Sequence, residues 1–147
     1  MYSTIADMQK LLPESELLDL ADDAGSGSLD DTTVQGVLQE AIDSADREID
    51  AYIGTVQTVP LTAPLPGLIA NISAKLAVHN LYLRQAGIEE PESWQREHSR
   101  CAKLLESIAS GKIVIGPKDG DEADPESDEV LVSAPRRMFS GKTWKGF

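Results

Sequence analysis

Apolar residues recur at helical spacing along the chain, most clearly after Asp30 and Asp31. From there an i, i+3, i+4, i+7 pattern continues for about six turns, which predicts a long helix capped by one of these two aspartates. Its apolar stripe consists of Val34, Val37, Leu38, Ala41, Ile42, Ala45, Ile49, Tyr52, Ile53 and Val56. The opposite, solvent-facing side is predicted to carry the charged residues Glu40, Asp43, Asp46, Arg47 and Asp50.

Two further long helices follow, separated by residues that break helices. One is predicted from about Pro66 to Gln85, ending at Gly87, and the other opens at Pro91 and ends at Gly111. The first is expected to be the most buried helix, because its wide apolar face includes Leu68, Ile69, Ile72, Leu76, Leu81, Tyr82 and Leu83. The stripe of the second is formed by Trp94, His98, Cys101, Leu104, Leu105 and Ile108.

The N-terminal region predicts two short helices. Thr4 and Asp7 have the spacing of an N-cap and its N3 partner, and this helix should stop near Leu12, because Pro13 disfavours helical geometry in the residue before it. Pro13 then opens a second short helix, which a Gly-Ser-rich loop follows at 22–29. The fold class is therefore all-α, a bundle of two short and three long helices.

The composition changes sharply near the end of this helical domain, residues 1–116, whose last residues, Lys112–Gly116, are predicted to be extended. Residues 117–129 form an acidic linker that is not expected to fold alone. Residues 130–147 form an extended basic-aromatic arm, and apolar residues that far outside a core usually await a partner. The candidate docking residues of this arm are Val130, Leu131, Val132, Arg136, Arg137, Met138, Phe139, Trp144 and Phe147.

The formal charge of −12 is distributed unevenly. Residues 1–50 hold 13 acids against Lys10 and Arg47, whereas residues 51–112 are nearly neutral. The arm carries no acid. So acidic a chain is not expected to wrap nucleic acid, because each phosphate contact needs a cation.

Enzymatic, metal and membrane functions find no support in the sequence. The lone Cys101 excludes an intramolecular disulfide and a cysteine-based zinc site, and it fits a reducing cytoplasm. His98 and Cys101 stand at i, i+3 on an apolar stripe and are expected to be a packed core pair, and His79 has no nucleophile partner. The acids around 22–33 fail the spacing of a calcium loop. No catalytic residue, metal site or cofactor is predicted, and no membrane segment.

The arm interleaves cations with aromatic residues, and this composition suits three kinds of partner. Single-stranded nucleic acid binds such segments through stacking and charge. A protein partner would use the same Trp, Phe, Met and Arg side chains as interface anchors. The arm could also dock on the acidic half of its own chain. The acidic linker upstream would repel DNA, which favours the protein partner.

Several short segments, each occurring once, follow a fixed order along the chain, and no one of them is distinctive alone. They are Met1–Thr4 with Asp7, residues 41–53, Pro60-Leu61, residues 74–84, residues 104–111 and residues 137–147. The ordered series resembles the Mu-like phage family of small head–tail connector proteins. This chain departs from the family where Thr55 and Val56 replace an Arg-Tyr pair after the long helix.

The resemblance implies a structural head–tail connector, or adaptor, located in the neck of the virion and in the host cytoplasm during assembly. Its copies would form a homo-oligomeric, dodecameric ring between the capsid portal protein and a stopper or tail-terminator protein. DNA would cross the ring as non-sequence-specific cargo. In related adaptors the C-terminal extension reaches into the portal, so the arm residues are the expected portal-docking site.

Acids of the long helix are candidates for the channel wall, namely Glu40, Asp43, Asp46 and Asp50. Like charge would keep DNA from adhering to the wall as it moves. The alternative is a small acidic regulatory or interaction module that binds a host or toxin partner through its arm, or mimics DNA with its acidic half. The presence of the protein in purified virions distinguishes a connector from a regulatory module, since a connector must be found there and a regulator need not be.

Overall fold

Five helices follow one another along residues 1–115, the part of the chain that the computed structural model describes. Their bounds are α1 Ile5–Gln9, α2 Glu14–Ala21, α3 Thr32–Ile53, α4 Gly67–Arg84 and α5 Glu92–Ala109. The predicted all-α class, with two short helices before three long ones, is confirmed. The acidic linker and the arm lie outside the described residues, so the division into three segments stays a prediction.

The helix starts follow the predicted capping chemistry. At α1 the Thr4 hydroxyl accepts a hydrogen bond from the Asp7 amide at 3.3 Å, and the Asp7 carboxylate accepts one from the Thr4 amide at 3.0 Å. This carboxylate is also bound by Lys10 at 2.7 Å, and the Lys10 contact, with the Thr4 bonds, lowers the pKa of Asp7. At α3 the cap is Asp31, which accepts from the Thr33 amide at 2.8 Å.

The helix ends differ from the prediction in two places. α1 stops at Gln9 rather than near Leu12, and beyond it the Leu11 amide donates to the Met8 carbonyl at 2.9 Å, an i to i−3 bond that is typical of a helix end. α3 stops at Ile53, so Val56 lies beyond the helix and is exposed. Glycine ends α5 as predicted, since Gly111 has a φ of +72°, which other residues rarely adopt.

α4 is the centre of the bundle, as its wide apolar face predicts. It packs against each of the other four helices. Contacts of Ala41 with Asn80 and of Asp46 with Ser73 show that α3 and α4 run antiparallel. The buried residues of α4 are Ile69, Ile72, Ser73, Ala74, Leu76, Ala77, Val78, Leu81 and Tyr82.

Two residues of the predicted apolar face of α4 lie on the surface. Leu83 is 69% exposed, and Leu68 is exposed as well. In the last turn of α4, Tyr82 donates a hydrogen bond to Glu16 and Arg84 donates one to the Leu20 carbonyl at 3.1 Å. Both neighbours therefore reach α2, and Leu83 points to the opposite side of the helix.

Residues 112–115 form irregular chain rather than a strand, and the Ile115 side chain is buried. The amide of the Gln57 side chain donates to the Ile115 carbonyl at 2.6 Å. Within residues 1–115, none of the helices has the length and apolarity needed to cross a bilayer.

Candidate functional site

Asp46 is buried, so its predicted place among the solvent-facing acids of α3 is wrong. It lies four residues after Ile42 and three before Ile49, which puts it on the apolar stripe. One carboxylate oxygen accepts a hydrogen bond from the Tyr2 amide at 2.7 Å, and the other accepts one from the Ser73 hydroxyl at 2.6 Å. Buried carboxylates need such partners, because desolvation of an unpaired charge is costly.

The same carboxylate organises a chain of contacts with the first three residues. The Ser3 and Ser73 hydroxyls lie 2.7 Å apart, and since Ser73 donates to Asp46, Ser3 donates to Ser73. The terminal ammonium of Met1 lies 3.6 Å from Asp46. Asp46 therefore joins the N-terminal segment, α3 and α4.

Asp50 is half-buried and also belongs to this network rather than to an open acidic face. It accepts a hydrogen bond from the Tyr2 phenol, and the phenol oxygen accepts one from the Leu61 amide at 2.8 Å. Burial of Tyr2, together with the bond to Asp50, raises the pKa of the phenol to about 12. Tyr2 thus ties the N-terminal segment to the link between α3 and α4.

The two remaining channel candidates, Glu40 and Asp43, are exposed as predicted. They occupy the outer side of α3 with Arg47, whose guanidinium donates to the Asp43 carbonyl at 3.0 Å. Within residues 1–115, neither carboxylate forms a salt bridge. That they border a channel stays a prediction.

His79 and His98 form a stacked pair between α4 and α5. Their ring centroids are 3.9 Å apart with the planes 18° from parallel, and His79 Nδ1 lies 2.7 Å from Glu90 Oε1. Of the predicted core pair, Cys101 is buried, which raises the pKa of its thiol, whereas His98 is only half-buried. Lys75 on α4 binds Glu97 on α5 at 2.7 Å nearby. The cluster fastens α5 to α4.

No catalytic constellation emerges from these groups. Across residues 1–115, no group of three or more His, Cys, Asp and Glu side chains is arranged to hold a metal ion. An open groove of about 210 Å³ lies between α1 and α4, but its charged residues, Asp7 and Lys10, already bind each other. The polar networks around Asp46 and around His79 thus join the helices and the N-terminal segment to one another.

The predicted docking residues of the arm, 130–147, lie outside the described residues. Sequence reasoning missed the network of Tyr2, Ser3, Asp46 and Ser73. One local signal was present, because Asp46 and Ser73 each interrupt an apolar stripe at a core position.

Comparison with known proteins decides the family. The model of the family described as Bacteriophage Mu, Gp36 matches residues 2–134. The chain belongs to the Gp36 family of phage Mu. A curated relative, the Mu-like prophage FluMu protein gp36 of Haemophilus influenzae, is 27% identical over 123 residues, which cover 82% of this chain and 79% of that protein.

This membership confirms the resemblance to a Mu-like phage family that the ordered motifs indicate. Membership of the Gp36 family shows that this chain is a phage protein, and it supports a structural role. The match covers the whole described bundle and continues into the first residues of the arm. The match therefore extends from the helical bundle through residues 117–129.

Asp46→Ala should lower the free energy of unfolding by about 3 kcal/mol, because the Tyr2 amide and the Ser73 hydroxyl both lose their buried acceptor. Urea denaturation followed by circular dichroism at neutral pH measures this loss. Asp43→Ala, an equal truncation on the exposed side of α3, should change stability by less than about 0.5 kcal/mol. Equal losses in the two variants would contradict the structural role of Asp46.

Alkaline pH should weaken the fold through Tyr2. The unfolded phenol loses its proton above pH 10, while the folded one keeps it to about pH 12. The contribution of Tyr2 to the free energy of unfolding is therefore fully present below pH 10. It falls by about 2 kcal/mol as the pH rises to 12. Tyr82, whose pKa is also raised by burial and by its bond to Glu16, acts in the same direction.

The test compares unfolding free energies at pH 9 and pH 11.5 in wild type and Tyr2→Phe. At pH 9 the variant should have a lower unfolding free energy than wild type, because Asp50 and the Leu61 amide lose a hydrogen-bond partner. Its further decrease between pH 9 and pH 11.5 should be smaller than that of wild type. Adding Tyr82→Phe should reduce the loss further. Parallel losses in wild type and Tyr2→Phe would show that the folded phenol titrates normally.

Proposed function

We propose that this protein is a head–tail connector, an adaptor whose copies form a ring between the capsid portal and the stopper or tail-terminator protein, with a channel for DNA. The observation that carries the proposal is the family match over residues 2–134. The all-α bundle, followed by a C-terminal extension, agrees with the architecture that the connector resemblance implies.

The arm is the proposed attachment to the portal. Its linker, 117–129, spans up to about 40 Å when extended, which lets the arm reach a partner well beyond the bundle. Val130–Val132 would add a strand to an exposed sheet edge, and Phe139 and Trp144 would fill pockets. Arg136 and Arg137 would pair with portal carboxylates.

The outer side of α3 is the proposed channel wall, and two of its four candidate acids are exposed. Asp46 is buried and Asp50 is bound to Tyr2, so Glu40 and Asp43 remain as exposed carboxylates. A wall of like charge would let DNA pass without adhesion, because no counterions are released on contact.

The location of the protein tests the function directly. Purified virions should contain the chain at the neck, visible by electron cryomicroscopy of the particles. Deletion of residues 130–147 should abolish its binding to the portal, while the helical circular dichroism signal of the bundle is retained. Retained portal binding by the truncated chain would assign attachment to the bundle instead.

Absence of the chain from virions would overturn the connector proposal and favour the acidic regulatory module. In that case the deletion would be expected to remove binding to a host protein rather than to the portal. The same truncated variant therefore serves both interpretations.

Glu40→Lys with Asp43→Lys should slow genome ejection from assembled particles, because a cationic wall would attract phosphates. The delay should shrink as salt is raised, since added salt weakens phosphate contacts. Ejection is followed by the fluorescence of a DNA-binding dye. The control is Glu89→Lys with Glu106→Lys, the same change in charge at two exposed positions away from α3. Equal kinetics in all three particles would contradict a channel location for this side of α3.

A further inference from the structure

The bundle presents two different charged surfaces on its two flanks. α2 carries Glu14 and Asp19, both exposed, and within residues 1–115 neither has a salt-bridge partner. α5 carries a row of three exposed cations at i, i+4 and i+7, namely Arg96, Arg100 and Lys103, between the exposed acids Glu92 and Glu106. This spacing places the three on one side of the helix.

The cations of α5 are available to an outside partner. Arg96 is 78% exposed and lies 3.9 Å from Glu92, and Arg100 is 71% exposed and lies 3.7 Å from Glu97. Such exposed pairs contribute little and exchange readily. Glu97 is held more closely by Lys75, at 2.7 Å, which lowers the pKa of Glu97. Lys103 has no salt bridge to any of the described residues.

The two surfaces face in widely different directions. On α4, Lys75 and His79 contact α5, whereas Ala70 and Ala74 line the groove against α1. At 100° per residue these two sides of α4 are about 140° apart. α2 follows α1 after a short turn and packs on α3 and α4, as α1 packs on α4. The acidic and cationic flanks thus enclose the pair of α3 and α4.

The two flanks meet a general requirement of a ring built from identical chains. Each copy in a closed ring uses two different surfaces, one towards each neighbour. Two acidic flanks cannot meet, because like charges opposed across an interface cost several kcal/mol. Along their helix axes, the two acids of α2 are about 7.5 Å apart and the row from Arg96 to Lys103 spans about 10 Å, so the two sets have similar lengths.

We infer that copies of this chain associate head to tail, with Glu14 and Asp19 of one copy against Arg96, Arg100 and Lys103 of the next. The partner is a second copy of the chain. This contact leaves the outer side of α3, with Glu40 and Asp43, free for the channel. The inference rests on the proposed connector function and specifies how its ring would close.

Two complementary charge reversals test the contact. Variant A carries Glu14→Lys and Asp19→Lys, and variant B carries Arg100→Glu and Lys103→Glu. Each full-length protein alone should lose at least about tenfold in self-association at low ionic strength, because its two flanks now have like charge. An equimolar mixture of A and B should regain it, since every contact in an alternating A–B ring joins opposite charges.

Sedimentation velocity over a concentration series measures the association. Carbodiimide cross-linking with mass spectrometry locates it, because this reagent joins an amine directly to a carboxylate. In wild type, Lys103 should couple to Glu14 or Asp19 of another copy. Attraction between opposite net charges cannot explain association of A with B, since both variants remain net negative.

Matched controls carry the same changes in charge elsewhere. Asp30→Lys with Glu89→Lys, at two exposed positions outside the helices, matches variant A, and Arg47→Glu with Lys112→Glu matches variant B. Both control proteins should associate as wild type does. Circular dichroism verifies that every variant folds.

A mixture of A and B that associates no better than either alone would overturn the inference, whether wild type associates through another surface or not at all. Loss of assembly in B without restoration by A would assign the α5 row to a different partner. The connector function fails separately, through absence of the chain from virions. A chain found at the neck without this contact would form its ring through other surfaces.

Discussion

The rest of the bundle depends on one buried carboxylate. Asp46 fixes the alignment of α3 against α4 through Ser73, and it holds the first residues of the chain against both helices. Apolar contacts between helices tolerate small shifts along the helix axes, but these hydrogen bonds form at only one alignment. Their loss would leave a buried charge uncompensated, which is far more costly than the loss of an exposed pair.

The helices could be predicted from the sequence, since local patterns determine them. Thr4 and Asp7 identify the first cap, and the apolar stripe of α3 identifies its buried face. The stripe also includes Asp46, but a carboxylate is rarely buried, so its charge places it with the solvent-facing acids. Its partners, Tyr2 and Ser73, lie 44 and 27 residues away, and no local pattern connects residues so distant.

Similar reasoning explains the other differences. Leu83 continues the apolar stripe of α4, but a stripe does not show where the covering helices end. Glu40 and Asp43 are placed correctly, because an exposed acid on an amphipathic helix needs no distant partner. The charge asymmetry between the two flanks depends on how α2 and α5 pack around α4, so it emerges only from the three-dimensional arrangement.

Ile115 is the last residue of the bundle that the structure describes, and its attachment has a consequence for binding strength. Its side chain is buried and its carbonyl is held by Gln57, so the remaining 32 residues leave every copy from the same fixed point. In the proposed ring these points would repeat around one axis, and all the arms would be able to reach a symmetric partner together. Binding of one arm raises the effective concentration of the others. If the proposed ring forms, contacts that are weak individually would together hold it firmly to its partner.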